Sequence, residues 1–495
     1  MNMKRNITLY ISIIISISAL AQDIVEYGTG LVRDNEAYEK IPIKPTLLTR
    51  DYESLPESYS LRKYCPKTGS QGVYGTCSAW STTYAARTIA EAIKRGWTDQ
   101  TTITEEAFAP LFVYAQNKGK RDSTCILGIR INEALGTLKT IGAPKKKHFN
   151  VQCANYTPKL IVDEAKDFKI EDYFTLFNYL CKSREEKINK VKKAISQERA
   201  VIICMNMPRS FRHALDVWNV NDPNEPTIEY HAMCVVGYDN QKEGGAFLIM
   251  NSWSERWGNG GYTWVKYDDF ARYVDHAFEM YVPKTNAPDF LPNDSNDVEE
   301  KKDTITIPVI EYRRGLEKKL AGGMYLQLST GEIIPMTLLS SKGQRPLYRA
   351  KSRYTSGTRF RIYFSNDEPA YVYMIGSDQG NHVSKLFPHK DNISPALVYS
   401  SNNMALPDEY HWIQLGDNGG KDYLCLLYSA RELPFNDILN NIRNGQGDFM
   451  TKLTKALELY DLVSENDCKY EKNEAKFKAV TKGMVVPLVI EMAHK

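Results

Sequence analysis

Four side chains between positions 71 and 251 have the types and order needed for nucleophilic acyl chemistry: Gln71, Cys77, His231 and Asn251. Cys77 lies in Gln71-Gly72-Val73-Tyr74-Gly75-Thr76-Cys77-Ser78-Ala79-Trp80-Ser81, just ahead of an alanine-rich run. A cysteine in the first turn of a helix feels the positive end of the helix dipole, which favours the nucleophilic thiolate. Gly72 and Gly75 let the backbone turn tightly and come close to another chain. Gln71 offers an amide donor which, with the Cys77 backbone N–H, could stabilise a developing oxyanion. His231 opens the apolar run to Gly237, where an imidazole needs a polar partner; His213 and His276 compete for its role but show no such strand context. Asn251 follows the apolar run Ala246 to Met250, and its amide oxygen could fix the imidazole tautomer. Trp253 could cover that hydrogen bond and exclude water. Each feature also has a plain structural reading: a core cysteine, a satisfied histidine, and a glycine-rich aromatic turn at 250–262.

The elements that must position these residues are visible in the periodicity. Ala79 to Lys94 reads as a helix with apolar residues at i, i+3 and i+4. A second helix covers about 131–141 and ends at Gly142, and a third covers about 184–197. Apolar β-type runs follow at 201–204, 231–237, 246–250 and 261–265. The passage from helices to strands implies an α+β domain in two lobes.

In these three blocks the chain resembles the papain family of cysteine peptidases. The resemblance rests on Gln71 and Cys77, on His231-Ala232 with Val236-Gly237-Tyr238, and on Asn251-Ser252-Trp253 with Trp257-Gly258 and Gly261-Tyr262. Leu55-Pro56 followed by Ser60-Leu61-Arg62 looks like the start of the family's mature chain. The resemblance implies peptide hydrolysis through a Cys77 thioester. His231 would serve as acid and base, Asn251 would orient it, and Gln71 with the Cys77 amide would hold the oxyanion. It also implies a resting thiolate–imidazolium pair, a cleft lined by Gly128, Ala232 and Trp253, and no metal or cofactor. The rival readings are a catalytically dead papain-fold protein used for binding or adhesion, and a thiol acyltransferase. Departures from the pattern are Tyr74, where many members have a disulfide cysteine, and Ser78, where a tryptophan commonly follows the nucleophile. Cys125 resembles the usual partner of the missing cysteine, so that bridge cannot form. Ile126-Leu127-Gly128 keeps one glycine of the substrate wall, and Leu127 could narrow the cleft. Only a short segment precedes Leu55, so the family's long inhibitory prosegment does not fit. Latency would come from that segment, from the C-terminal region, or from neither.

The 495 residues exceed one ordinary core. Lys4 and Arg5, the apolar run from Ile7 to Leu20 and Ala19-Leu20-Ala21 have the form of a secretory signal at 1–21, giving a secreted or periplasmic protein without an integral membrane segment. A net charge of +3 gives no electrostatic case for nucleic acid; the expected partner is a peptide or protein substrate. The order is then a short segment at 22–50, the peptidase domain at 51–283, a polar linker at 284–303, and a β-rich domain at 304–495. A helical stretch at about 434–461 interrupts the last domain. That domain faintly resembles an uncharacterised β-rich domain of bacterial secreted proteins. It is either a binding module for a protein or surface polymer, with Tyr363, Phe364, Tyr371 and Tyr373 as a conceivable carbohydrate platform, or a stabilising extension. Nine cysteines leave at least one unpaired within the chain, and Cys204 and Cys234 fall on strands of one lobe, as a bridge or as two thiols.

Overall fold

The computed structural model describes residues 27–282, 318–339 and 346–495, apart from 221, 223, 418 and 482. The expected signal at 1–21 and linker at 284–303 lie outside the described residues. Among those described, no helix is long and apolar enough to cross a membrane.

One continuous helical rod begins at Cys77. It runs α-helical over Cys77–Ala79, π-wound over Trp80–Arg87, and α-helical again over Thr88–Arg95. Residues 77–89 are all buried, too many for a one-sided helix. Pro110–Asn117 and Ile131–Thr140 pack against it. The latter ends as its glycine requires: Gly142 takes φ 91° and donates to Thr137 O at 2.9 Å. Arg184–Ser196 starts on Ser183, whose side chain accepts from the Glu186 N–H.

Beside this helical lobe stands an eight-stranded sheet. Its path is Asp172–Phe177, Val274–Tyr281, Val201–Pro208, Thr227–Asp239, Ala246–Met250, Tyr262–Lys266 and Val217–Trp218, with Ser58–Ser60 added on Thr227–Asp239. His276 lies inside one of these strands, contrary to the expectation that it lacks a strand context. Cys204 pairs with Ala232 and Cys234 with Ile202, so the two are separate buried thiols. Cys125 finds a different partner from the usual one, in a disulfide with Cys153.

The C-terminal region is a sandwich of a seven-stranded and a six-stranded sheet. Alternation along Ala370–Ser377 divides its faces. Val372 and Met374 enter the inter-sheet core, whereas Tyr371, Tyr373 and Ile375 join a core shared with two helices and the peptidase-like half. Phe364, Tyr371 and Tyr373 are therefore buried, and Tyr363 stacks on Tyr325 with centroids 4.9 Å apart. Three of the four rings expected as a carbohydrate platform are thus committed to packing, whereas Tyr363 is half-buried. The expected long helical stretch is two helices, Phe435–Asn444 and Phe449–Leu457, broken at Gly445–Gly447 and restarted by the Asp448 cap.

The N-terminal segment is threaded between the halves. Ile43 bridges Thr175 on one side and Ile393 on the other. Lys44 is buried against Glu279 at 2.6 Å, with the Tyr399 hydroxyl donating to the same carboxylate. Asp51 accepts from the Asn403 N–H and side-chain amide at 2.7 and 2.9 Å. Residues 27–33 then lie across the face between helical lobe and sheet.

Candidate active site

Cys77 begins its helix after Thr76, and no side chain caps this end. Its amides are therefore free for other partners. The sulfur is completely buried, and burial pushes the thiol up to about 11, against the amides of Ala232, Gly30 and Ser78, which favour the thiolate. Ala232 adjoins His231 in the strand Thr227–Asp239, so this strand carries the imidazole to the cysteine.

His231 Nε2 lies 2.8 Å from Asn251 Oδ1. The same oxygen accepts from the Ser252 N–H at 2.7 Å, which fixes the orientation of the amide. Nε2 must then be the donor, and in a neutral ring Nδ1 is left as the acceptor. Nδ1 is buried with no hydrogen-bond partner among the described residues. Trp253 lies flat over the imidazole, with centroids 4.5 Å apart and planes at 20°. It is itself fully buried and shields the His231–Asn251 bond from water. Burial pushes His231 down to about 4, outweighing the Asn251 hydrogen bond. Burial therefore works against the expected thiolate–imidazolium pair in this closed arrangement. Both partners are dehydrated, which favours their neutral forms.

The dehydrating element is the N-terminal segment. Gly28 O accepts from Gln71 Nε2 at 2.9 Å and from Trp253 Nε1 at 3.0 Å. Gly28 N–H donates to Gly72 O at 2.9 Å, and Tyr27 stacks on Trp253 at 5.1 Å. The chain then passes Cys77. Gly30 O accepts from the Ile129 N–H at 3.2 Å, and the Val32 N–H donates to Ile129 O at 3.3 Å. Glycine is required here: a Cβ on Gly30 would lie 2.2 Å from Gly75 O, and one on Gly128 would lie 1.9 Å from Gly30 O.

The expected site residues can now be placed. Gln71, Cys77, His231, Asn251, Ala232, Trp253 and Gly128 all border the segment or the Cys77–His231 pair. Backbone pairing, however, falls on Ile129 rather than Gly128, whose N–H donates to Tyr114 Oη at 3.1 Å. Leu127 is 62% exposed. Sequence reasoning missed Ser252, whose hydroxyl donates to Gln71 Oε1 at 2.6 Å and so aims the Gln71 amide. It also missed Tyr27, Gly28, Gly30 and Arg33. The two glycines around Thr29, in a stretch without hydrophobic periodicity, were the available sign of a close backbone approach.

Residues 55–277 match the family model described as papain family cysteine protease, and residues 353–432 match a domain of unknown function, DUF4384. Peptidase 1 of Dermatophagoides pteronyssinus is 33% identical over 92 residues, 18% of this chain and 28% of the relative. The chain thus spans less than a third of that relative. An uncharacterized peptidase C1-like protein, L477, of Acanthamoeba polyphaga mimivirus is 26% identical over 212 residues, 40% of this chain and 63% of the relative. Among solved structures, xylellain, a cysteine protease from Xylella fastidiosa, aligns with TM-score 0.42 and 19% identity over 52% of this chain and 97% of its own. Digestive procathepsin L 3 of Tenebrio molitor aligns with TM-score 0.38 and 14% identity over 52% and 77%. The helical lobe with Cys77 at its mouth and the sheet that carries His231 and Asn251 fall within residues 55–277, the span that matches the papain-family cysteine protease model, and a separate β-rich region follows in the same chain.

Proposed function

We propose that the chain is an exported cysteine peptidase that folds in a latent form, its own N-terminal segment filling the substrate cleft. The observation that carries this reading is the Gly28 carbonyl, held by Gln71 Nε2 and Trp253 Nε1 beside Cys77. The cleft holds an extended peptide and turns a backbone carbonyl toward the Gln71 amide and the Trp253 indole N–H. Export rests on the charged, apolar and small-residue pattern at 1–21.

Once the segment leaves, water reaches Cys77 and His231 and their pKa values move back toward the ordinary range. The Cys77 proton passes to His231 Nδ1, and the thiolate attacks a substrate carbonyl carbon. Gln71 and the Cys77 N–H hold the resulting oxyanion. The carbonyl re-forms as the C–N bond breaks, and the imidazolium gives its proton to the departing amine. Water, deprotonated by His231, then cleaves the thioester and returns the thiol. Asn251 keeps Nε2 protonated throughout.

The test is alkylation by an epoxide specific for activated thiolates, on the intact chain and after proteolytic removal of the segment, with adducts mapped by mass spectrometry. Slow labelling of Cys77 that accelerates on removal, accompanied by peptide hydrolysis and lost in Cys77→Ala, is the expected result. A folded, reduced, trimmed protein that neither labels nor hydrolyses peptides refutes the reading. Adducts on half-exposed Cys181 do not count toward it.

A further inference from the structure

Arg33 follows the residues that cross Cys77, and its side chain enters a pocket built by the peptidase domain. Its Nη2 lies 3.3 Å from Asp275 Oδ2, and its Nη1 donates to the Tyr230 hydroxyl. The guanidinium sits 4.9 Å from the centroid of the Tyr230 ring and 5.8 Å from that of Tyr179. Tyr230 immediately precedes His231, and Asp275 lies on the strand Val274–Tyr281, two away in the same sheet. Only one polar contact of Arg33 belongs to the segment itself, the bond from Nε to Asn35 Oδ1 at 3.0 Å. The carboxylate and both rings therefore stay behind when the segment withdraws.

Asp275 would then lack its ion-pair partner. Lys187 lies close enough for its charge to act on Asp275, but its ammonium is held by the carbonyls of Ala271 and Val274, each at 2.8 Å. Asp275 and Arg33 are each only about a quarter exposed. An apolar side chain in the pocket would cover an unpaired carboxylate, which is costly. A guanidinium or ammonium replaces the lost partner and lies over two aromatic faces.

We propose that the pocket formed by Asp275, Tyr230 and Tyr179 selects an arginine or lysine side chain of the peptide substrate, on the side of Cys77 lined by Gly128 and Ile129. This rests on the peptidase reading above for the word substrate, but the pocket assignment can be tested separately. The full chain carrying Gly30→Ala to loosen the segment and Cys77→Ala to stop turnover is titrated calorimetrically with peptide pairs that differ only in arginine against citrulline, its neutral isostere. Arginine should bind about tenfold tighter at one position. The difference should vanish in Asp275→Asn and persist in Asp275→Glu. Equal binding of arginine and citrulline at every position overturns the proposal, as does a preference that survives Asp275→Asn. Hydrolysis of the same peptides by the Cys77-containing protein is read in parallel. An arginine preference without hydrolysis leaves the pocket standing and refutes the peptidase reading.

Discussion

Gly30→Ala is the smallest change that should unlock the cleft without touching a catalytic group. The new Cβ would lie 2.2 Å from Gly75 O and 2.3 Å from Gly75 Cα, where ordinary contact begins near 3.4 Å. Both obstacles are backbone, so no side chain can rotate away, and the segment must withdraw by about 1 Å. That stretches the Ile129 N–H···Gly30 O bond beyond its present 3.2 Å and strains the Gln71–Gly28 bond. Hydrogen bonds of this kind contribute about 1 kcal/mol each and overpacking costs about 1–3 kcal/mol, so the closed state should lose about 2–3 kcal/mol. The open population should rise roughly 30–150-fold. The assay is the second-order rate of Cys77 alkylation at neutral pH, with the thermal midpoint as control for global unfolding. A rate within twofold of wild type, in a protein that still labels after proteolytic trimming, would refute the claim that the Gly28–Val32 segment causes latency.

Acid should also loosen the segment. His231 is held down at about 4, below the ordinary 6.5, so the closed state binds fewer protons and loses stability relative to the open state as pH falls from about 6.5 toward 4. The limit is about 3 kcal/mol, modulated by the neighbouring Glu229 and Arg212; proteolysis within residues 27–33 should be faster at pH 4.5 than at pH 7, and equal rates would contradict the coupling. Lys44→Met leaves Glu279 buried without its cation and should destabilise the protein by about 3–5 kcal/mol, read by denaturant titration. Asp51→Ala removes both Asn403 contacts at the junction and should raise basal alkylation of Cys77 while leaving trimmed-protein activity unchanged.

The residues of the candidate site were legible because their chemistry is local. A cysteine opening an alanine-rich helix, a histidine heading an apolar strand and an asparagine closing another can each be read within a dozen residues. The strands at 246–250 and 262–266 follow from their apolar runs for the same reason. Asp172–Phe177 escaped notice, since nothing in its short run marks it as the outer neighbour of Val274–Tyr281. The aromatic residues of Ala370–Ser377 look alike in sequence whether they face a ligand or a second packed layer.

By itself, the sequence determined the α+β division and marked Gln71, Cys77, His231 and Asn251 as candidates. These depend on periodicity and on side-chain chemistry. Tertiary structure alone decided how deeply the pair is buried and what occupies the cleft. Burial pushes the Cys77 thiol up and the His231 imidazole down because another segment removes water from them, and that segment is held by Ile43, Lys44 and Asp51 through partners as distant as Ile393, Glu279 and Asn403. Desolvation belongs to the assembled fold rather than to any local stretch of chain, so no reading of residues 71–81 or 231–253 could have supplied it.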